Sequence, residues 1–363
     1  MEDLRGLLRR AEALRVGRGR AVLATIVGVT GSSVRRPGAR VLLEAGGRAT
    51  GFLSAGCVER DLEERVEAVL GAGRPELVRY RPDELADPVL GLGLTCGGGM
   101  EVLLEPWPPP EPPDPLEAMA AVRRTRDAGG LATVVAPPEL AGARAAVVGA
   151  GEVAVAAPPP LRWPLGEAAA AAREREGPAR IALADGAAEV LAEPLLPPLR
   201  VLIQGTGPPA LALARLAAAM GWEPVLLPVG AVPDPEAVPP GCGLSDPGSV
   251  VPDRWTVAVL LAHDTRAEVG LLRRLLPSPV RYLGVMGSRG RRRALRVALE
   301  DEGVEPGSDE LARLHMPVGL DLGAETAEEI ALAVAAEILA ALRGRHGGRL
   351  RDREGPIHER GSR

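Results

Sequence analysis

Hydrophobic and polar positions divide the chain into three blocks, and the first block predicts a mixed α/β unit. Residues 2–16 and 61–73 repeat apolar positions with a helical period, and the apolar runs 21–30, 39–45 and 100–107 are typical of strands. A glycine-rich turn, GGRATGFLSAG, separates the second strand from the second helix. The proline run PPPEPPDP that follows predicts an extended linker and a first domain boundary.

The second block repeats the order of the first. A helix, two strands and a second helix are predicted at 115–130, 131–137, 141–151 and 166–177. The motif E-V-L-x-E-P closes both blocks, at 101–106 and 189–194. Shared order and a shared motif favour an internal duplication, and the alternative is two similar units that arose by chance. The cysteine motifs and the Ser-Ser-Val-Arg-Arg stretch of the first block do not recur in the second.

The third block alternates apolar strands with amphipathic helices, which predicts parallel βαβ units in a doubly wound, Rossmann-like sheet. The fold class is therefore α/β, with an N-terminal α+β part in which the two similar blocks favour a duplication. We expect an N-terminal domain at 1–108, a degenerate α/β unit at 109–197, a Rossmann-like domain at 198–343 and a disordered tail at 344–363.

Composition narrows the range of functions. The net charge of -5 argues against nucleic-acid binding, which needs a basic face. The absence of lysine from the sequence excludes a Schiff-base lysine and a P-loop lysine. Three widely spaced cysteines make no disulfide framework, and the charged N-terminus is no signal peptide. The longest apolar helix predicted for the chain is too short to cross a membrane, so we expect a cytoplasmic protein without membrane association.

The stretch SAGCVE places Cys57 just ahead of a predicted helix. Unpaired N–H groups and the helix dipole favour an anion there, so the thiol should be partly ionised. Cys57 is therefore a candidate nucleophile, sulfur carrier or soft-metal ligand, and Glu59 is a candidate for proton exchange with a ligand. A small buried hydrophobic residue is the alternative for this cysteine.

Two further motifs belong with it. LTCGGGM frames Cys96 with glycines, Gly97 and Gly98 among them, whose backbone amides would allow close approach to a ligand. VTGSSVRRPGAR offers two hydroxyls and two arginines suited to phosphate or carboxylate, or simply a solvated hairpin. We include its candidate residues in the same site: Ser32, Ser33, Arg35 and Arg36.

The third block carries a glycine fingerprint without the residue that usually accompanies it. Gly205 and Gly207 follow a strand as in dinucleotide-binding folds. The acidic residue expected about 20 positions on, for the ribose hydroxyls, is missing, and the next acid is Asp234. We therefore do not expect NAD(P), and close helix–strand packing is the alternative role for the glycines.

Several polar residues follow other strands of this sheet and could line one crevice, because parallel sheets bind ligands at the carboxyl ends of their strands. Helix capping and solvated arginines are the alternative. The candidates are His263, Asp264, Gly287, Ser288, Arg289, Asp321 and Glu325.

Taken together, GSSVRRPGAR, SAGCVE, CGGG, AHD, YLGVMGSR and PVGLDLGAETAEEIALAVAAEILA resemble the XdhC/CoxI family of molybdenum-hydroxylase maturation factors. The resemblance implies a protein that binds molybdenum cofactor (molybdopterin), holds it while a cysteine desulfurase adds the terminal sulfur, and inserts it into an apo molybdenum hydroxylase of the xanthine dehydrogenase type. It implies a chaperone rather than a metabolite-converting enzyme, and a homodimer is expected.

By this resemblance the cofactor site comprises Ser54, Gly56, Cys57 and Glu59 with Cys96 and its glycines. Cys57 would be the molybdenum ligand, and Arg35 and Arg36 would suit the pterin phosphate. The turn GTGPP differs from the family's usual pattern. Two alternatives stay open: an NAD(P)-dependent oxidoreductase with His263 as acid/base, and a non-catalytic module that docks the hydroxylase.

Overall fold

The computed structural model describes residues 2–31, 35–54, 57–81 and 99–354. The chain divides into two compact units, Asp3–Pro197 and Pro198–Arg363, which we call the N-terminal and C-terminal units. No helix among the described residues is long and apolar enough to cross a membrane.

The first half of the N-terminal unit is an antiparallel five-stranded sheet with the strand order β3-β2-β1-β5-β4. Helix α2 packs Val58, Leu62, Val66 and Val69 against one face of the sheet, because these apolar residues recur three or four positions apart. The elements in chain order are α1 (Glu2–Val16), β1 (Ala21–Thr30), β2 (Arg40–Glu44), β3 (Arg48–Gly51), α2 (Cys57–Ala72), β4 (Glu76–Tyr80) and β5 (Gly99–Trp107).

The second half repeats this arrangement element for element. Its sheet has the order β8-β7-β6-β10-β9, which is the order of the first sheet with each strand replaced by its counterpart. The elements are α3 (Pro115–Thr125), β6 (Gly129–Ala136), β7 (Arg144–Val148), β8 (Ala154–Ala156), α4 (Pro159–Ala172), β9 (Ala179–Leu183) and β10 (Ala188–Leu195). This correspondence supports the duplication inferred from the sequence.

Residues 108–114 join the halves and end at buried Asp114, which caps α3 and pairs with Arg15.

Two buried ion pairs connect the halves reciprocally. Arg40 at the start of β2 pairs with Glu193 of β10, and Arg144 at the start of β7 pairs with Glu105 of β5. The two arginines occupy equivalent positions, and the glutamates are the second acids of the two E-V-L-x-E-P motifs. Side-chain exposure is 4–7% for all four residues, so solvent and salt screen these charges much less than they screen surface pairs. Beside them, a small apolar cluster draws equally on both halves: Val27, Leu103, Val135 and Leu191.

The C-terminal unit is a parallel six-stranded sheet in the order β13-β12-β11-β14-β15-β16, with helices on both faces. This confirms the predicted α/β class with a Rossmann-like C-terminal sheet. Its elements are β11 (Arg200–Gln204), α5 (Pro208–Ala219), β12 (Glu223–Leu227), β13 (Gly243–Leu244), β14 (Thr256–Leu260), α6 (Thr265–Leu275), β15 (Leu283–Val285), α7 (Arg289–Asp301), α8 (Ser308–Ala312), β16 (Leu314–His315) and α9 (Ala327–Leu342). A 3₁₀ turn, Leu350–Asp352, lies in the segment for which the sequence predicts disorder.

Candidate functional site

The N-terminal motifs leave the first sheet at one edge. Strand β1 ends at Thr30 directly opposite Gly99, the first residue of β5, and the amide of Gly99 donates to the Thr30 hydroxyl at 3.1 Å. Strand β3 ends at Gly51 opposite Val41, next to the start of β2. Segments 31–39, 52–56 and 81–98 therefore all connect at this edge, which we call the motif edge. The predicted residues Ser32, Ser33, Gly56, Cys96, Gly97 and Gly98 lie outside the described residues.

Helix α2 begins at Cys57, four residues earlier than the pattern predicts. Because α2 follows segment 52–56, its N-terminus, with the positive end of the helix dipole, lies at the motif edge. This is the setting in which a cysteine thiol ionises readily.

Glu59 fixes the chain that leads into α2. Its buried carboxylate accepts hydrogen bonds from the amides of Leu53 and Ser54, both at 2.7 Å, and from the Ser54 hydroxyl at 2.5 Å. The Ser54 oxygen in turn accepts from the amide of Val58 at 3.3 Å. Burial raises the pKa of Glu59, but the hydrogen bonds from Ser54 and Leu53 outweigh it and hold that pKa below its usual value. The carboxylate is therefore ionised near neutral pH and suited to positioning the start of α2.

We expect Glu59→Gln to lower the free energy of unfolding of the N-terminal unit by about 1–2 kcal/mol, because charge-assisted hydrogen bonds are the stronger kind. The folded-state pKa lies below the unfolded value of 4.5, so this stabilisation is present above pH 4.5 and is lost as the pH falls through the lowered pKa. Urea unfolding of both proteins between pH 7 and pH 3, followed by circular dichroism, tests this. The stability difference should shrink on acidification. A constant difference would contradict the ionised role.

Arg35 connects two of the segments at the motif edge. Its guanidinium lies over the Phe52 ring, 4.4 Å from the centroid, so segment 31–39 contacts segment 52–56. Arg35 is half-buried and Arg36 is exposed. Two cationic side chains thus lie on segment 31–39, which contacts the segment that leads into α2, and this charge favours an anionic ligand.

The second half provides an internal comparison for this edge. Residues 81–98 separate β4 from β5, whereas only 184–187 separate β9 from β10. Residues 52–56 precede α2, whereas only 157–158 precede α4, and α4 begins with Pro159, which has no N–H group. The halves share their scaffold and differ where the cysteine motifs occur.

In the C-terminal unit, the predicted crevice residues follow strands at the carboxyl edge of the sheet. Gly205 has φ +115°, and a Cβ at this position would lie 3.3 Å from the backbone of Ala262. Glycine therefore allows the ends of neighbouring strands to pack closely here. Gly207 precedes α5 and Gly287 precedes Ser288.

Several of the predicted polar residues cap helices or lie beside a helix cap. Asp264 caps α6 by accepting from the amide of Ala267 at 2.9 Å, and Ser288 caps α7, which begins at Arg289. Asp321 is exposed, as is Glu325, whose amide donates to Glu329 in the capping box of α9.

Sequence reasoning missed Arg291 and Glu268, which form a chain of contacts with His263, and it missed the buried Gln204. Arg291 donates to both carboxylate oxygens of Glu268, at 2.8 and 2.9 Å, and to Nδ1 of His263 at 3.1 Å. Gln204, the last residue of β11, donates to the carbonyl of Ala267 at 3.0 Å. Glu268 and Gln204 are each 1% exposed. A buried glutamine at a strand end is a signal that could have found this group.

Comparisons with known proteins match both units. The model of the XdhC and CoxI family matches residues 14–81, and the model described as the XdhC Rossmann domain matches residues 201–338. Together these two matches cover more than half of the chain.

Two curated proteins are similar over most of their length. A molybdenum cofactor insertion chaperone, PaoD of Escherichia coli, is 27% identical over 93% of this chain and 88% of its own. A probable xanthine dehydrogenase subunit of Bacillus subtilis is 28% identical over 88% of this chain and 92% of its own. The same fold occurs in a crystal structure described as a xanthine dehydrogenase from Bacillus halodurans, with a TM-score of 0.73, 23% identity and coverage of 95% of this chain and 97% of that one.

Proposed function

Since the chain belongs to the XdhC and CoxI family, we propose that it is a maturation factor that binds molybdenum cofactor as cargo at the motif edge. It holds the cargo while a cysteine desulfurase adds the terminal sulfur, and passes it to an apo molybdenum hydroxylase of the xanthine dehydrogenase type. The names of the relatives, a molybdenum cofactor insertion chaperone and a xanthine dehydrogenase subunit, support this role.

One observation carries the choice of site: the N-terminal unit has two copies of one scaffold, and only the first copy is elaborated. Segment 52–56 leads directly into α2 at Cys57, and segment 81–98, whose sequence contains the Cys96 motif, joins β4 to β5. The corresponding edge of the second half has short connections and a proline at the start of its helix. Retaining one copy as plain scaffold while the other carries the motifs is consistent with a single cargo site.

The residues at the motif edge are suited to an anionic cargo whose metal binds a thiolate. An ionised thiol at the start of α2 would be a soft ligand for molybdenum. Arg35 and Arg36 offer guanidinium groups for the pterin phosphate, and the glycines beside Cys96 offer backbone amides. Glu59 positions the start of α2 through Leu53 and Ser54.

We test the proposal by adding anaerobically released molybdenum cofactor to the purified chain, desalting, and measuring retained molybdenum by mass spectrometry. Wild type should retain about one equivalent, and Cys57→Ala should fall to background because the soft ligand is lost. Cys96→Ala should retain less than wild type. Cys242→Ala is the matched control, because Cys242 is a half-buried cysteine of the C-terminal unit that lies outside the proposed site.

Loss of molybdenum from all three variants alike, or none retained by wild type, would contradict a site at Cys57. A docking module predicts a different result: Cys57→Ala would bind the hydroxylase and support its activation as well as wild type does. A carrier variant should still bind the hydroxylase and fail to deliver the cargo. Sedimentation of the purified chain tests the proposed homodimer.

The C-terminal unit lacks groups that the alternative function, an NAD(P)-dependent oxidoreductase, would need to bind its dinucleotide. Pro208 and Pro209 occupy the first two positions of α5, so two amides that would otherwise face a pyrophosphate are missing. Strand β12 ends at Leu227 and is followed by Pro228, with no acid for a ribose. We therefore propose that this unit does not use NAD(P).

A further inference from the structure

Helix α9 is apolar on both of its faces. Its buried face completes the core that α5 and one side of the parallel sheet form. Its outward face is apolar as well: Leu332 is 54% exposed, and Ala336, Leu339 and Ala340 are partly exposed. A helix that is apolar all round is normally buried all round. The outward face of α9 is therefore suited to a contact beyond the C-terminal unit itself.

The outward face carries a straight stripe of five residues. Glu328, Leu332, Ala336, Leu339 and Arg343 follow one another at intervals of three or four positions, so they line up along the helix and its C-cap. The two end residues are charged and exposed, and the three between them are apolar. A small residue between two leucines lets a second helix approach closely while the leucines interdigitate.

The stripe is symmetric about its midpoint, with the charges exchanged. Glu328 and Arg343 lie equally far from the peptide bond that joins Ala335 to Ala336, and so do Leu332 and Leu339. When two copies of a helix pair antiparallel about a two-fold axis, each residue meets the one equally far beyond the midpoint. Such a pair would set leucine against leucine and glutamate against arginine, each of them twice.

The charges around the stripe favour the same orientation. Exposed acids mark the beginning of α9 and exposed basic residues follow its end: Glu325, Glu328 and Glu329, then Arg343, Arg345 and His346. Antiparallel helices bring these opposite charges together, whereas parallel helices set like charges side by side. The helix dipole accounts for acids at the beginning and bases at the end, but not for the apolar residues spaced symmetrically between them.

We propose that α9 forms the interface of a homodimer, in which two copies of this chain pair antiparallel along the stripe. This surface rests on the homodimer already proposed and is independent of the cargo site at Cys57. Each α9 has 16 residues and is about 24 Å long. A contact centred on one such helix from each copy is at the low end of interface sizes, so the dissociation constant should be on the order of micromolar.

Sedimentation equilibrium of the full chain over a wide range of concentrations tests the interface. Wild type should pass from monomer to dimer as its concentration rises. Leu332→Arg should raise the dissociation constant at least about tenfold, because it sets a charge against an apolar surface at two symmetric places. Val297→Arg is the matched control: Val297 is 48% exposed on α7, which packs against the opposite face of the sheet, and this variant should associate like wild type.

Charge reversal tests the orientation. Glu328→Arg and Arg343→Glu should each weaken association about tenfold, because each sets like charges together twice. The double variant should associate like wild type, since opposite charges face each other again. Glu328 also lies 3.3 Å from the exposed Arg215 of α5, and both reversals oppose the helix dipole. Neither effect is relieved in the double variant, so recovery there reports the contact between copies. Thermal unfolding followed by circular dichroism checks that each variant is folded.

A wild type that stays monomeric at every concentration, undiminished association of Leu332→Arg, or no recovery in the double variant would each overturn this interface. If a dimer survives Leu332→Arg, the proposed homodimer stands and uses another surface. If wild type is monomeric and Leu332→Arg loses binding to the hydroxylase, the outward face of α9 belongs to the hydroxylase instead. Molybdenum retention at Cys57 is a separate measurement, and its failure would leave the interface standing.

Discussion

Replacing Arg144 with methionine is expected to lower the free energy of unfolding of the N-terminal unit by about 3–5 kcal/mol, because it leaves Glu105 buried without its cation. The side chains of both residues are at most 7% exposed. Burial already raises the pKa of Glu105 despite the nearby guanidiniums of Arg144 and Arg40. Removing Arg144 should raise that pKa further, so the loss should be largest near neutral pH. Urea unfolding followed by circular dichroism measures the effect.

Two comparisons make this result interpretable. Arg79→Met removes an arginine that is 58% exposed and paired with Glu101, and it should cost no more than about 1 kcal/mol. The double variant Arg144→Met with Glu105→Leu should recover most of the lost stability, since apolar pairs often replace buried ion pairs without cost. Equal losses for Arg144→Met and Arg79→Met would show that burial of the pair has no energetic consequence.

Gly130→Ala is expected to destabilise the same unit by about 3 kcal/mol, the upper end for an overpacked site. Strand β6 passes so close to α4 that a Cβ at Gly130 would lie 1.9 Å from the carbonyl oxygen of Ala169 and 2.9 Å from the amide of Arg173. Backbone atoms cannot rotate away, so α4 must shift as a whole. Thermal unfolding of wild type and variant measures the loss.

The matched control is Gly166→Ala, an added methyl group on α4 itself. At Gly166 the new Cβ meets only Val153 and Val155, the nearer at an ordinary 3.6 Å. Alanine is a better helix former than glycine, so this variant should be stabilised by up to about 1 kcal/mol. If Gly130→Ala left the unfolding temperature unchanged, the close approach of β6 to α4 would be refuted.

Local patterning predicts most of the architecture and fails where elements are short or polar. The main helices and the parallel sheet follow from hydrophobic periodicity. Strand β3, with the sequence Arg-Ala-Thr-Gly, lies within the predicted glycine-rich turn, because a mostly polar edge strand shows no apolar alternation. The pattern predicts helix α4 at 166–177, but the helix begins at Pro159. Pro159 and Pro160 are accepted in its first turn, and the helix also continues through Pro164, which removes one interior hydrogen bond. The predicted start is wrong for that reason.

The candidate sites divide in the same way. The cysteine and arginine motifs can be recognised from short stretches of sequence. Strand pairing then explains why segments about 50 residues apart connect at one edge of the sheet. The pairing of Arg291 with Glu268 could not be predicted, because the two residues lie 23 positions apart on different helices. Likewise nothing near Arg40 reveals Glu193, which lies 153 positions away. Long-range charge pairing follows from the fold and leaves no periodic trace in the sequence.

The reciprocal ion pairs between the halves have an evolutionary consequence. Each half carries the arginine that pairs with the other half's buried glutamate, so each half alone would leave one buried arginine and one buried glutamate unpaired. We therefore expect the residues of each pair, Arg40 with Glu193 and Arg144 with Glu105, to change together in related sequences, because a change at one alone leaves a buried charge unpaired. The segments that connect at the motif edge contain none of these four residues. The two halves can therefore differ in these segments without disturbing the interior that they share.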